Sequence, residues 1–171
     1  CHKWLCAPKG SAFLHVRKDL QEKIHPLTIS HGMTFPIENT TRFRHEFDWT
    51  GTRDITAHCS LPTTIDGMAN LIEGGWPKIM QLNHDLAIKG RKIICERLGI
   101  KKPCPDNMIA CIATLPLPGI VTGGIPLHEP DPLHKILQDK YNIQIPVWSW
   151  DSPKGRYIGI SAQLYNSEEE Y

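Results

Sequence analysis

The sequence predicts a mixed α/β chain that ends in a small α+β domain, and three observations carry that reading. One long amphipathic helix lies between glycine stops, three apolar runs of strand length come after it, and a proline-capped short helix separates the first run from the other two.

Taken in order, His2-Lys3-Trp4-Leu5-Cys6-Ala7-Pro8-Lys9-Gly10 sets a polar pair before an apolar turn punctuated by Pro and Gly. Ser11-Ala12-Phe13-Leu14-His15-Val16 then reads as a strand fed by that loop. A lysine on such a loop, at a closed site, suits Schiff-base chemistry, in which a desolvated amine attacks a carbonyl. Spacing alone gives this little force, because most lysines are solvated surface charges. Thr28 to Arg44, rich in Thr, Gly, Pro and His, reads as a loop over an active site. In Phe47-Asp48-Trp49-Thr50-Gly51-Thr52-Arg53-Asp54 a glycine stands between two threonines beside an arginine. Hydroxyls, a free N–H at Gly51 and a guanidinium are groups that bind phosphate oxygens. Asp54 through Glu73 begins helically, with Pro62 marking a break or a first turn, and Gly74-Gly75 is the next punctuation.

Trp76-Pro77 opens the strongest helix, with proline in its first turn. Ile79, Leu82, Leu86 and Ile93 recur at spacings of three, four and seven, which predicts one buried stripe, and Leu98-Gly99 closes the helix. Met108 to Leu115 is an apolar run of strand length. Leu115 to Pro130 reads as a loop with four prolines from Pro116 onward and with Gly119, Gly123 and Gly124. Asp131-Pro132 caps a short helix bearing Leu133, Ile136 and Leu137. Ile143 to Trp148 and Tyr157 to Leu164 are two more strands, with Pro146 favouring an edge or a strand start. Ser167-Glu168-Glu169-Glu170 has the form of a capping box that announces a further helix.

Taken together and in this order, the first motif, Phe47 to Asp54, and Ile160-Ser161-Ala162-Gln163-Leu164-Tyr165-Asn166 resemble the class V aminotransferase family of pyridoxal-phosphate enzymes, most of all its isopenicillin N epimerase-like branch. The resemblance runs from Lys3 to Asn166. It implies fold type I, with residues 1–75 as the tail of the large cofactor-binding domain, 76–99 as a connecting helix, and 100–171 as the small C-terminal α+β domain. Family members place the lysine past the midpoint of the chain, so the resemblance implies a C-terminal fragment that lacks a large N-terminal part. By the same resemblance Lys3 carries pyridoxal 5'-phosphate as a Schiff base and acts as general base at the substrate α-carbon. His2 binds the cofactor phosphate, and Thr52 reaches the phosphate of a neighbouring subunit, so the active site belongs to a homodimer. Without the resemblance, His2 is a solvated terminal residue and Thr52 an ordinary turn residue.

One position departs from the pattern. The family places an arginine two residues before the serine of the third motif to grip the substrate carboxylate, and this chain has Gly159 there. Arg156 is the stand-in, although positions 156 and 159 of a strand face opposite ways unless a bulge intervenes. Losing such a cation costs a carboxylate substrate on the order of 2–5 kcal/mol.

Composition bounds the alternatives. With 171 residues and a net charge of +1, the chain does not read as a nucleic-acid binder. No run is long and apolar enough for a membrane span and no signal peptide is visible, and a cytoplasmic protein is expected. Six cysteines without a C-x-x-C and nine scattered histidines suggest free thiols rather than a disulfide scaffold or a metal site. The reaction stays open among epimerisation, C–S lyase or cysteine desulfurase-like chemistry, and transamination of an amino-acid-type substrate. A reading from another class is a degenerate or truncated dimerisation module without catalysis.

Overall fold

The computed structural model describes residues 1–119, 131–151 and 154–171, and the chain divides into two compact units, Cys1–Met68 and Ala69–Tyr171. Each is built differently.

The first unit consists of turns and short helices: α1 (His31–Thr34), α2 (Arg42–Asp48), α3 (Thr56–Cys59) and α4, which starts at Leu61 and runs to Ala69. A 3₁₀ segment, Lys18–Lys23, precedes them. Ser11 to Val16 is not a strand: the backbone there forms no ladder with another strand among the described residues, and Phe13 is 85% exposed. An apolar run becomes a strand only where a partner satisfies its N–H and C=O groups. Thr28 to Arg44 is likewise no simple loop, because it contains α1 and the start of α2. Side-chain caps begin both helices. The Ser30 hydroxyl accepts from Gly32 N at 3.3 Å, and Thr41 Oγ1 accepts from Arg44 N at 3.3 Å. Arg42 ties the two together through Nη1, which donates to Gly32 O and Phe35 O at 2.9 Å each. Pro62 sits in the first turn of α4, after the break at Ser60.

The second unit is a three-stranded antiparallel sheet of β1 (Ile112–Pro116), β2 (Val147–Asp151) and β3 (Lys154–Ser161) in the order β1-β3-β2. Helices α5 (Gly75–Leu98) and α6 (Pro132–Tyr141) pack against one cluster of its apolar residues: Ala113, Leu115, Val147, Ile158, Ile160 and, from α5, Cys95. Gly99, at φ +64°, ends α5, with Ile100 N bonded to Cys95 O and Gly99 N to Glu96 O. Asp131 Oδ1 accepts from Leu133 N at 2.8 Å and so caps α6. Pro146 immediately precedes the edge strand β2, where it removes no ladder bond. The first apolar run forms β1 only from Ile112, and a 3₁₀ turn, Asp106–Met108, precedes it. The predicted loop from Leu115 begins within β1, and residues 120–130 of it lie outside the described residues. Ser167 introduces a 3₁₀ turn, Glu168–Glu170.

The buried face of α5 differs from the predicted stripe. Ile79, Asn83, Ala87, Gly90, Arg91 and Cys95 are buried, whereas Leu82 is exposed and Leu86 and Ile93 are half-buried. The reason lies in the partner surface. Asn83 Nδ2 donates to Gln163 Oε1 at 2.9 Å, the Tyr171 ring lies where a Gly90 side chain would stand, and Arg91 reaches Cys104 O at 2.8 Å and the Asp106 carboxylate. Small and polar residues therefore take the inner face, and two of the leucines line a cleft of about 590 Å³ beside it.

Candidate functional site

Lys3 lies on a short platform that bonds to itself. The amino group of Cys1 donates to Ser11 O at 2.9 Å, Cys6 N to Lys3 O at 3.1 Å, and Ala7 N to Cys1 O at 3.3 Å. Ala7 and Ser11 are buried beneath it, and His2 and Lys3 project into solvent. Gly10, at φ +101°, closes the platform against α3, since a Cβ built there would stand 3.8 Å from Ala57 Cβ.

Thr52 belongs to the turn that leads into α3. Gly51 has φ +120°, and nothing lies within 4 Å of the point where its Cβ would be, so the backbone there is open to an approaching group. Asp54 Oδ1 accepts from Thr56 N at 2.8 Å, and that bond, followed by one from the Thr56 side chain, holds its carboxyl below the ordinary range. Upstream, the Ser30 hydroxyl donates to Trp49 O and fixes the start of the turn. The Lys3 platform and the helix after Thr52 are thus neighbours in one unit. His2, Lys3 and Thr52 are all exposed, and no hydrogen bond or ion pair joins their side chains among the described residues.

Arg156 and Gly159 fall on opposite faces of β3, and the ladder between β1 and β3 runs without a bulge from Ile112↔Ser161 to Pro116↔Tyr157. Arg156 points to the face that carries Ile158 and Ile160. Its Nε donates to Asp131 Oδ2 at 2.8 Å and its Nη2 to Oδ1 at 2.5 Å, a bidentate grip on a buried carboxylate. The guanidinium considered above for the substrate carboxylate is therefore committed to the cap of α6. On the other face, a Cβ at Gly159 would meet Trp148 Cη2 and Cζ3 at 3.1 Å and Pro146 Cγ at 3.4 Å. The indole of Trp148, stacked on Tyr157 with ring centroids 6.3 Å apart, fills the space into which a longer side chain at 159 would start.

Two pairs with one buried carboxylate each were not legible in the sequence. His25 Nδ1 meets Glu46 Oε2 at 2.6 Å, with Glu46 only 3% exposed, and Asp131 holds Arg156. Their members stand 21 and 25 residues apart, and no local spacing signals such a pair. All six cysteines are free thiols, and burial pushes those of Cys95 and Cys111 up. Among the described residues no group of three or more His, Cys, Asp or Glu is placed to hold a metal ion, and no helix is long and apolar enough to cross a membrane.

No family model matches the chain. Individual relatives do, along 99% of its length. L-cysteine desulfhydrase of Arabidopsis thaliana is 27% identical over 186 residues, which is 39% of that protein. Isopenicillin N epimerase of Amycolatopsis lactamdurans is 29% identical over 181 residues, 42% of its length. Hercynylcysteine sulfoxide lyase of Schizosaccharomyces pombe is 27% identical over 182 residues, 41% of its length. Homologues spanning the whole chain are thus L-cysteine desulfhydrases and isopenicillin N epimerases, which belong to the class V aminotransferase-like, pyridoxal-phosphate-dependent family. The chain spans about two fifths of the length of these relatives. Its mixed α/β architecture with a small three-stranded sheet is compatible with the C-terminal part of fold type I.

Proposed function

We propose that this chain is the C-terminal part of a pyridoxal-phosphate enzyme acting at the α-carbon of an amino-acid-type substrate, with 1–75 as the tail of the cofactor-binding domain, 76–99 as the connecting helix and 100–171 as the small domain. The observation that carries the reading is the exposed Lys3 platform set against α3, the helix that follows the Thr50-Gly51-Thr52 turn, in a chain homologous to such enzymes from end to end. The residues fit the cofactor: a primary amine for its aldehyde, and an imidazole, a hydroxyl and a glycine with open space at its Cβ position for its phosphate.

Pyridoxal phosphate, when bound, supplies an aldehyde that condenses with amines and a ring that accommodates negative charge at the α-carbon. Lys3 Nζ would hold it and, when free, would take the α-proton as general base. His2 and the Thr52 hydroxyl would donate to phosphate oxygens, Thr52 across a homodimer. The Lys3 side chain is exposed, whereas Schiff-base lysines work in desolvated surroundings. Those surroundings have to come from the rest of the enzyme, so the 171-residue chain alone is expected to show no turnover. In the complete protein, borohydride reduction with pyridoxal phosphate and peptide mapping should find the pyridoxyl group on Lys3 and none in Lys3→Ala. A modified lysine elsewhere, or none, sinks the assignment.

Epimerisation most like that of isopenicillin N, C–S lysis or desulfurase-like chemistry, and transamination share these residues. The Trp148 indole over Gly159 favours a second reading, a degenerate or truncated dimerisation module, because no arginine occupies that position and Arg156 is held by Asp131. Substrate-dependent spectral change in the reconstituted protein separates the two.

A further inference from the structure

We propose that the apolar cavity between α5, α6 and the sheet binds a small amphipathic carboxylate, with its aliphatic body between the helices and its head on Arg97. The cavity measures about 760 Å³, within the range of small-molecule sites. Ile94 of α5, Leu133 and Leu137 of α6, and Ile158 and Ile160 of β3 wall it, so a bound body would be shielded from water on several sides.

The charged residues that line it are Arg97 and Glu170. Glu170 is occupied, since its Oε2 accepts from Asn166 Nδ2 at 2.8 Å. Arg97, in the last turn of α5, makes no ion pair or side-chain hydrogen bond among the described residues. Its charge complements the C-terminal dipole of the helix without using the donors of the guanidinium. That planar fork matches a carboxylate bidentately. A neutral alkane would leave the exposed Arg97 to solvent, and a compact polar anion would leave the apolar walls unused; an aliphatic acid meets both. The site uses none of His2, Lys3 and Thr52, so it stands or falls apart from the cofactor reading.

The test is calorimetric titration of the 171-residue chain, without pyridoxal phosphate, with octanoate and with 1-octanol below their aggregation limits. Octanoate should bind one saturable site about tenfold more tightly than the alcohol, the size of one charge-assisted contact. Arg97→Gln should bring octanoate to the level of the alcohol. Ile143→Trp, which fills the cavity from its exposed rim, should abolish both. Absent octanoate binding by the wild-type chain, equal affinity for acid and alcohol, unchanged octanoate binding in Arg97→Gln, or full binding in Ile143→Trp would each overturn the proposal.

Discussion

In Ala69–Tyr171, a sheet carries its apolar residues on one face and two helices cover them, so that Leu115 and Ile160 are sealed from water. In Cys1–Met68, Ala7 is the one buried hydrophobic residue among those described, while Leu27 is 106% and Ile29 83% exposed. The first unit is shaped by caps and turns instead: Ser30 and Thr41 cap α1 and α2, Asp54 holds the turn into α3, and Glu46 is buried on His25. Hydrophobic burial is the dominant favourable term in folding, whereas a cap contributes about 1 kcal/mol. The unit proposed to hold the chemistry is therefore the one that supplies little of its own stability.

The largest expected effect tests that contrast directly. Leu115→Ala should cost about 2–5 kcal/mol, read from the urea midpoint, and Ile29→Ala no more than about 0.5 kcal/mol. Comparable costs would break the comparison.

Next comes the Asp131–Arg156 pair. Asp131→Ala should cost about 3 kcal/mol, at the low end for a broken buried pair because Arg156 remains partly exposed. Burial pushes the Asp131 carboxyl up, but hydrogen bonds from Arg156 and the Leu133 amide, with the Arg156 charge, outweigh it and leave the group below its ordinary value. Because the folded value is the lower one, this contribution is complete above about pH 4 and is lost as pH falls through the folded pKa. Asp131→Asn keeps an oxygen for the cap and should flatten stability below about pH 4; an unchanged acid profile would remove Asp131 from the account.

Gly159→Arg should cost about 1–3 kcal/mol through overpacking against Trp148, and Trp148→Ala in the same chain should recover part of it. Additive losses would show that the indole does not hold the space.

The smallest effect sets two helical glycines against each other. Gly67, in α4, has nothing within 4 Å of a built Cβ, so Gly67→Ala should stabilise its unit by about 0.5–1 kcal/mol. Gly90 in α5 would drive its Cβ to 2.7 Å from the Tyr171 ring, so Gly90→Ala should lose more from the displaced ring than it gains in propensity. Hydrogen exchange in each unit reads both, and stabilisation by Gly90→Ala would refute the packing argument.

The sequence by itself determined the features that depend on a residue's own backbone: the stop of α5 at Gly99, the Asp131 cap with Pro132 behind it, Pro62 in a first turn, and Pro146 just before an edge strand. The resemblance to pyridoxal-phosphate enzymes was also legible, through the order of the motifs. Tertiary structure decided the rest, because burial is a relation between two surfaces. Leu82 and Leu86 matched the helical period, yet Asn83, Ala87 and Gly90 turned inward, where Gln163 and Tyr171 met them. Ser11 to Val16 had the composition of a strand and pairs with no strand among the described residues. Position 159 read as a missing arginine, and only the packed sheet revealed an indole standing over it and a carboxylate, 25 residues before Arg156, holding that arginine on the opposite face.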